Sequence, residues 1–265
     1  MTIEPLIHHL VPFTLVAFRI AGLFIAAPMI SSPMIPARVK VLAALALAGC
    51  VYPLTPAWPL DPKSVSILEL APMVVGEALI GYVIGFLASL PIAAAEMSGV
   101  LIGQQMGFGL AKVYNPETDA ESDVLSQMLM FTIFAGYLAG GGLESIFAAI
   151  VGTFERVGPG GIGFSDAPLA VVLGVFASGL EVAMRLSLPI VAAILLLVVV
   201  FAVIAKTMPA INIMSVGFTV KVLAGLLVLT LAMPVIARVG GEEIADVMST
   251  IHEWSQTLAT GGRHG

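Results

Sequence analysis

Residues 205–225, AKTMPAINIMSVGFTVKVLAG, join two long apolar runs and carry Lys206, Pro209, Asn212 and Lys221. A plain membrane anchor has no use for two lysines, a proline and an asparagine at that depth. The rest of the chain has the same character. Of 265 residues, 59% are hydrophobic and 11% are charged, where a soluble domain usually carries about 25% charged residues. Surface that charge cannot cover faces lipid or other protein. The composition therefore predicts an integral membrane protein. Lipid admits only helices and closed barrels, and no strand-like alternation is present. The fold expected is all-α, a multi-helix membrane-associated protein.

A crossing helix needs about 20 residues at about 1.5 Å rise per residue. Six segments meet that length, at about 10–30, 39–59, 67–95, 124–151, 168–205 and 210–237. The fifth is too long for one straight crossing, and Pro189 offers a kink inside it. Orientation by basic loop residues gives a tie. One side collects Lys63, Arg156, Arg238 and Arg263, and the other collects Arg38, Lys40, Lys112 and Lys206.

Three breaks separate these runs. The proline-rich YPLTPAWPLDPKS (52–64) reads as a stiff extended loop. VGPGGIGFSDAP (157–168) reads as a flexible connection. KVYNPETDAESD (112–123) carries four acids and an Asn-Pro step, and is the most polar internal stretch. No tandem repeat stands out. Beyond Gly240–Gly241 lies an acidic tail, in which Ile244, Val247, Met248, Ile251 and Leu258 share one helical face. A short amphipathic helix is expected there. MTIEPLIHH at the start lacks the basic region and the cleavage site of a signal peptide. Cys50 is the single cysteine, so no intrachain disulfide forms. A net charge of −6 gives no nucleic-acid footprint.

Six charges fall within apolar surroundings: Arg19, Glu77, Glu96, Glu181, Arg185 and Lys221. A charge at the bilayer centre costs roughly 2.5–3.5 kcal/mol on insertion scales, so each should meet protein, a cavity or an opposite charge. Glu181 and Arg185 are spaced to pair on one helix face. Buried structural ion pairs, an ion pathway and snorkelling from segment ends all remain open as readings. Small residues form a second pattern. Gly81 and Gly85 make a GxxxG pair, and Gly99, Gly103 and Gly107 make two successive four-residue steps. Such spacing lets helix backbones approach closely in lipid. The second set runs through Gln104, Gln105, Met106, Phe108 and Gly109 into the acidic loop. An ordinary helix end followed by a hairpin would also produce it.

Catalytic patterns are absent. The four histidines lack metal-ligand spacing, and neither a GxSxG, a P-loop nor a complete GxGxxG occurs. The reading is of a non-enzyme with no catalytic residues, no cofactor and no metal.

Two stretches carry a resemblance. IGQQMGFGLAKVYNPETD (102–119) resembles the signature of the FliR family of flagellar export-gate membrane proteins, called SctT in injectisomes. MPAINIMSVGFTVKVLAG (208–225) is similar to that family's second signature. FRIAGLFIAAPMISSPMIPARVKVLAALAL (18–47) is similar to its N-terminal pattern. Asn115 stands where members often carry aspartate, and the turn at Pro116 is kept. The resemblance covers nearly the whole chain.

It implies a structural and gating subunit of the type III secretion export gate in the bacterial inner membrane, within the flagellar basal body. FliP-like and FliQ-like subunits and an FlhB-like protein would be its partners, and unfolded proteins its export substrates. Residues 1–165 would be a FliP-like part, 166–240 a FliQ-like hairpin and 241–265 the amphipathic acidic tail. Residues 107–123 would plug the channel, with Gln104, Gln105, Met106, Gly107, Phe108, Gly109, Asn115 and Pro116 as the gate. Pro209 and Asn212 would shape the hairpin turn. The resemblance does not separate flagellar from injectisome use. A secondary transporter with a midplane substrate site would also explain buried charges and broken helices. It predicts an internal repeat, and none is clear.

Overall fold

A computed structural model describes residues 4–28, 30–32, 34–56, 67–108, 124–160, 169–207 and 213–261. Among the described residues every regular element is helical, as the composition requires. In order these are α1 (Glu4–Ala26), α2 (Ala37–Val51), α3 (Ile67–Met106), α4 (Val124–Ala139), α5 (Gly142–Arg156), α6 (Leu169–Thr207) and α7 (Ile213–Gly261). Five are long and apolar enough to cross a membrane, and six spans result if α4 and α5 count as one bent span. Several hydroxyls inside the helices are satisfied locally. Thr14, Thr132 and Thr230 donate to the carbonyls four residues earlier, and Ser98 donates to that of Ala95. Such back-bonding lets a polar side chain sit in a helix without water.

The first segment, expected at 10–30, is a helix over Glu4–Ala26, and the second, expected at 39–59, ends as an α-helix at Val51; three further differences each have a local reason. The fourth segment, taken as continuous over 124–151, is two helices. The Gly140 N–H donates to Gly136 O at 2.9 Å, and Gly141 then adopts φ 72°. That left-handed geometry suits glycine and ends the helical path. The third segment does not stop near 95. It runs to Met106 through Gly99 and Gly103, both buried, because packing offsets the low helix propensity of glycine. The sixth segment likewise runs through Gly240 and Gly241, so the amphipathic stretch after them continues α7 and is not a separate short helix. The loop expected over 52–64 begins as a 3₁₀ turn at Tyr52–Leu54, and 57–66 lie outside the described residues.

The chain forms two compact units. The first comprises residues 1–90, 141–176 and 245–265, and the second 91–140 and 177–244. In the first unit α1 and α3 touch backbone to backbone. A Cβ on Gly81 would fall 1.8 Å from Arg19 O, one on Gly22 would fall 2.0 Å from Ala78 O, and one on Gly85 would fall 2.8 Å from Ala27 N. At the far end of α1, His9 Nδ1 and Tyr52 Oη are hydrogen-bonded at 2.7 Å, and Phe13 meets the Tyr52 ring edge-on. Ala44, Ala48 and Val51 form the buried side of α2. In the second unit α3 meets α4 at Gly99, where a Cβ would fall 2.4 Å from Ser126 Cα. Gly240 of α7 faces Ile133 of α4, whose Cδ1 would be 2.1 Å from an added Cβ.

Candidate functional site

In the second unit the GQQMG stretch forms the C-terminal cap of α3. The Phe108 N–H donates to Gly103 O at 3.1 Å. The Gly107 N–H donates to Gln104 O at 3.1 Å and to Gly103 O at 3.2 Å, with Gly107 at φ +98°. This is a Schellman closure, which satisfies orphan carbonyls and turns the chain sharply out of the helix. Gly107 is required there because a side chain is strained at positive φ. Gln104 is exposed, Gln105 and Phe108 are half-buried, and Met106 has no exposed surface.

Met106 and Gly107 both contact α7. A Cβ on Gly225 would fall 2.9 Å from Cγ, Sδ and Cε of Met106, and one on Gly107 would fall 3.2 Å from Cε2 of Phe218. The two signature stretches, about 110 residues apart in sequence, therefore meet. Phe218 and Gly225 belong to the second signature, but spacing alone does not reveal what they touch. Gly109, Asn115, Pro116, Pro209 and Asn212 lie outside the described residues. Lys206 is exposed one residue before α6 ends at Thr207.

The charges divide into different environments. Arg19 and Glu77 are 0% and 2% exposed and form a two-pronged ion pair in the first unit. Arg19 Nη2 donates to Glu77 Oε1 at 2.9 Å, and Nη1 donates to Thr153 Oγ1 at 3.0 Å. Both terminal nitrogens also donate to Val157 O at 3.4 Å. The guanidinium lies 4.1 Å from the centre of the Phe154 ring, a cation–π arrangement. The Gly160 N–H donates to Glu77 Oε1 at 2.7 Å. All donors of Arg19 are thus engaged, the condition under which a buried arginine is tolerated. The cluster ties α1 and α3 to α5 and to the turn that follows it. Neither the Arg19–Glu77 partnership nor the roles of Thr153, Phe154 and Val157 show in the sequence, because 58 and 134 residues separate Arg19 from Glu77 and Thr153.

In the second unit Arg185 Nη2 donates to Glu181 Oε1 at 2.6 Å, and both side chains are exposed. Glu96 is exposed and Lys221 is half-buried. Among the described residues neither has an ion-pair partner. A further buried acid, Glu243, accepts from Ser178 Oγ at 3.0 Å. Its place in the acidic tail gave no sign of burial.

The arrangement is one of packed helices, a built helix cap and paired charges. Among the described residues no three His, Cys, Asp or Glu side chains gather as a metal site requires. Comparison with known proteins agrees with the resemblance. The flagellar biosynthetic protein FliR of Bacillus subtilis is 30% identical over 168 residues, which cover 60% of this chain and 63% of that protein. The match thus spans less than two thirds of the Bacillus protein. FliR of Aquifex aeolicus is 24% identical over 230 residues, covering 84% of this chain and 86% of that protein. The Yop proteins translocation protein T of Yersinia pestis is 24% identical over 165 residues, covering 61% and 63%. The family model described as bacterial export proteins, family 1, matches residues 10–247, and the chain belongs to that family.

Proposed function

We propose that this chain is a structural and gating subunit of a type III secretion export gate in the bacterial inner membrane, assembled with FliP-like and FliQ-like subunits and an FlhB-like protein in a flagellar basal body or an injectisome. It exports unfolded proteins and catalyses no reaction. Its relatives carry names from flagellar biosynthesis and from translocation by secretion systems, which supports a role in export. In this reading residues 1–165 are FliP-like, 166–240 form a FliQ-like hairpin and 241–265 are the amphipathic tail. Residues 107–123 plug the channel at rest. The α3 cap at Gly103–Phe108 is their root, and Gln104, Gln105, Met106, Phe108, Gly109, Asn115 and Pro116 belong to the gate. Gly81, Gly85, Gly99 and Gly103 serve helix packing, and Arg19, Glu77, Glu96, Glu181, Arg185 and Lys221 meet buried or neighbouring groups.

The observation that carries the reading is the bare surface of α6. Its apolar stretch Leu173–Ile204 has 32 residues, most of them not buried within the chain. At about 1.5 Å per residue the stretch is about 48 Å long, against about 30 Å of hydrocarbon. The stretch exceeds one upright crossing by about 18 Å, which supports contact with other protein along part of its length. Deletion of 110–120 in the assembled complex tests the gate, with increased ion leakage as the expected result. Leakage at the wild-type level would remove the plug from the proposal. An isolated chain that transports a solute by itself would favour a secondary transporter.

A further inference from the structure

The two contacts between the end of α3 and α7 are reciprocal. At one, Met106 of α3 enters the notch left by Gly225 of α7. At the other, a ring of α7 lies against a bare Cα of α3: a Cβ on Gly107 would fall 3.2 Å from Cε2 and 3.4 Å from Cδ2 of Phe218. Each helix thus offers one large side chain and one glycine. Phe218 and Gly225 are two turns apart, so they share one face of α7, separated by about 10 Å along its axis. Met106 and Gly107 are adjacent in sequence yet reach both places. Helical side chains lean toward the N-terminus, whereas Gly107, at φ +98°, turns the chain out of α3.

The surroundings of the two contacts differ. Met106 has no exposed surface and Gly225 is buried. That contact is a fixed anchor, which opens only if α3 and α7 separate. Phe218 is 43% exposed and Gly107 is half-buried. A ring with that much free surface adds little to the core, and a change of rotamer carries it off Gly107 while the anchor stays closed. The ring rests on the residue that closes the helix cap, since the Gly107 N–H donates to both Gly103 O and Gln104 O.

We propose that Phe218 is a releasable clasp on the gate end of α3. The ring holds the Gly103–Phe108 cap shut against α7, and the Met106–Gly225 contact is the anchor about which the cap loosens when the ring swings away. Phe218 is a positioning residue that acts through Gly107. The inference rests on the gate reading above and names the element of this chain that regulates that gate.

The test is Phe218→Ala in the full chain, assembled with FliP-like and FliQ-like subunits. Hydrogen exchange at the Gly107 and Phe108 amides and ion leakage per complex are read together. Both should rise by about five-fold, the change expected when one aromatic contact is lost from a two-state closure, with recovery of the complex unchanged. Phe218→Tyr keeps the ring and should restore both readings. Phe131→Ala removes a 59% exposed ring from α4 in the same unit and should change neither. Exchange at the wild-type rate in Phe218→Ala overturns the clasp. Faster exchange with wild-type leakage, while deletion of 110–120 does leak, overturns control of the gate by Phe218 and leaves the gate reading standing. Wild-type leakage in the 110–120 deletion overturns the gate reading, and the inference with it. If Phe218→Ala does not accumulate, Phe218→Leu, which keeps apolar bulk and loses the flat ring edge, is read in the same way.

Discussion

Met106 fills the space that a methyl group on Gly225 would need: Cγ, Sδ and Cε of Met106 all lie 2.9 Å from that point. Met106 has no exposed surface, so its side chain cannot swing into solvent to make room. Gly225→Ala should destabilise the chain by roughly 1–3 kcal/mol through overpacking. Met106→Ala alone should cost roughly 2–5 kcal/mol through the cavity it leaves. Combined, the two changes should cost less than their sum, because each supplies the room or the volume that the other lacks. Thermal unfolding midpoints in detergent for the two single variants and the double variant read this directly. Strict additivity would mean that the two positions do not interact.

A second prediction concerns the Arg19–Glu77 cluster. Removal of one member of a buried ion pair strands the other, at a cost of roughly 3–5 kcal/mol. Arg19→Met and Glu77→Leu should each lower the amount of folded chain sharply. The combined Arg19→Met/Glu77→Leu variant should be less damaged than either, since an apolar pair leaves no orphan charge. Resistance to limited proteolysis in detergent is a suitable measure. A double variant worse than both singles would show that the hydrogen bonds to Thr153, Val157 and Gly160 outweigh the stranded charge.

Two glycines with opposite surroundings give a third. Gly81→Ala would drive a methyl group into Arg19 O, and the backbone there cannot give way without separating α1 from α3. Gly152 in α5 has nothing within 4 Å of its would-be Cβ. Gly152→Ala should therefore be neutral, or stabilising by up to about 1 kcal/mol through helix propensity. Yields of monodisperse protein after extraction would compare the two. Equal behaviour would refute the close approach of α1 and α3.

Much of the architecture was legible in the residues. Long apolar runs can satisfy their backbones in lipid only as helices, so element type and approximate position followed from composition and length. The GQQMG stretch was legible as a special place because glycine and glutamine are uncommon neighbours in a membrane helix, and Glu181 and Arg185 were legible as a pair because both lie on one helix. What the pattern concealed were the fates of individual glycines. Gly141 breaks a helix, whereas Gly99 and Gly240 sit within helices that continue. Sequence sees the same residue in each case. Only the neighbour supplied by another helix distinguishes a notch from a break.

The sequence by itself determined that this chain is helical, lipid-adapted and built with small residues and charges too costly to leave uncovered, because those properties follow from local chemistry and from the solvent. Tertiary structure alone decided that Arg19 meets Glu77, that Met106 meets Gly225, and that Glu181 and Arg185 remain on the outside. Those outcomes depend on which helix faces arrive together, a relation between distant segments that no local pattern encodes.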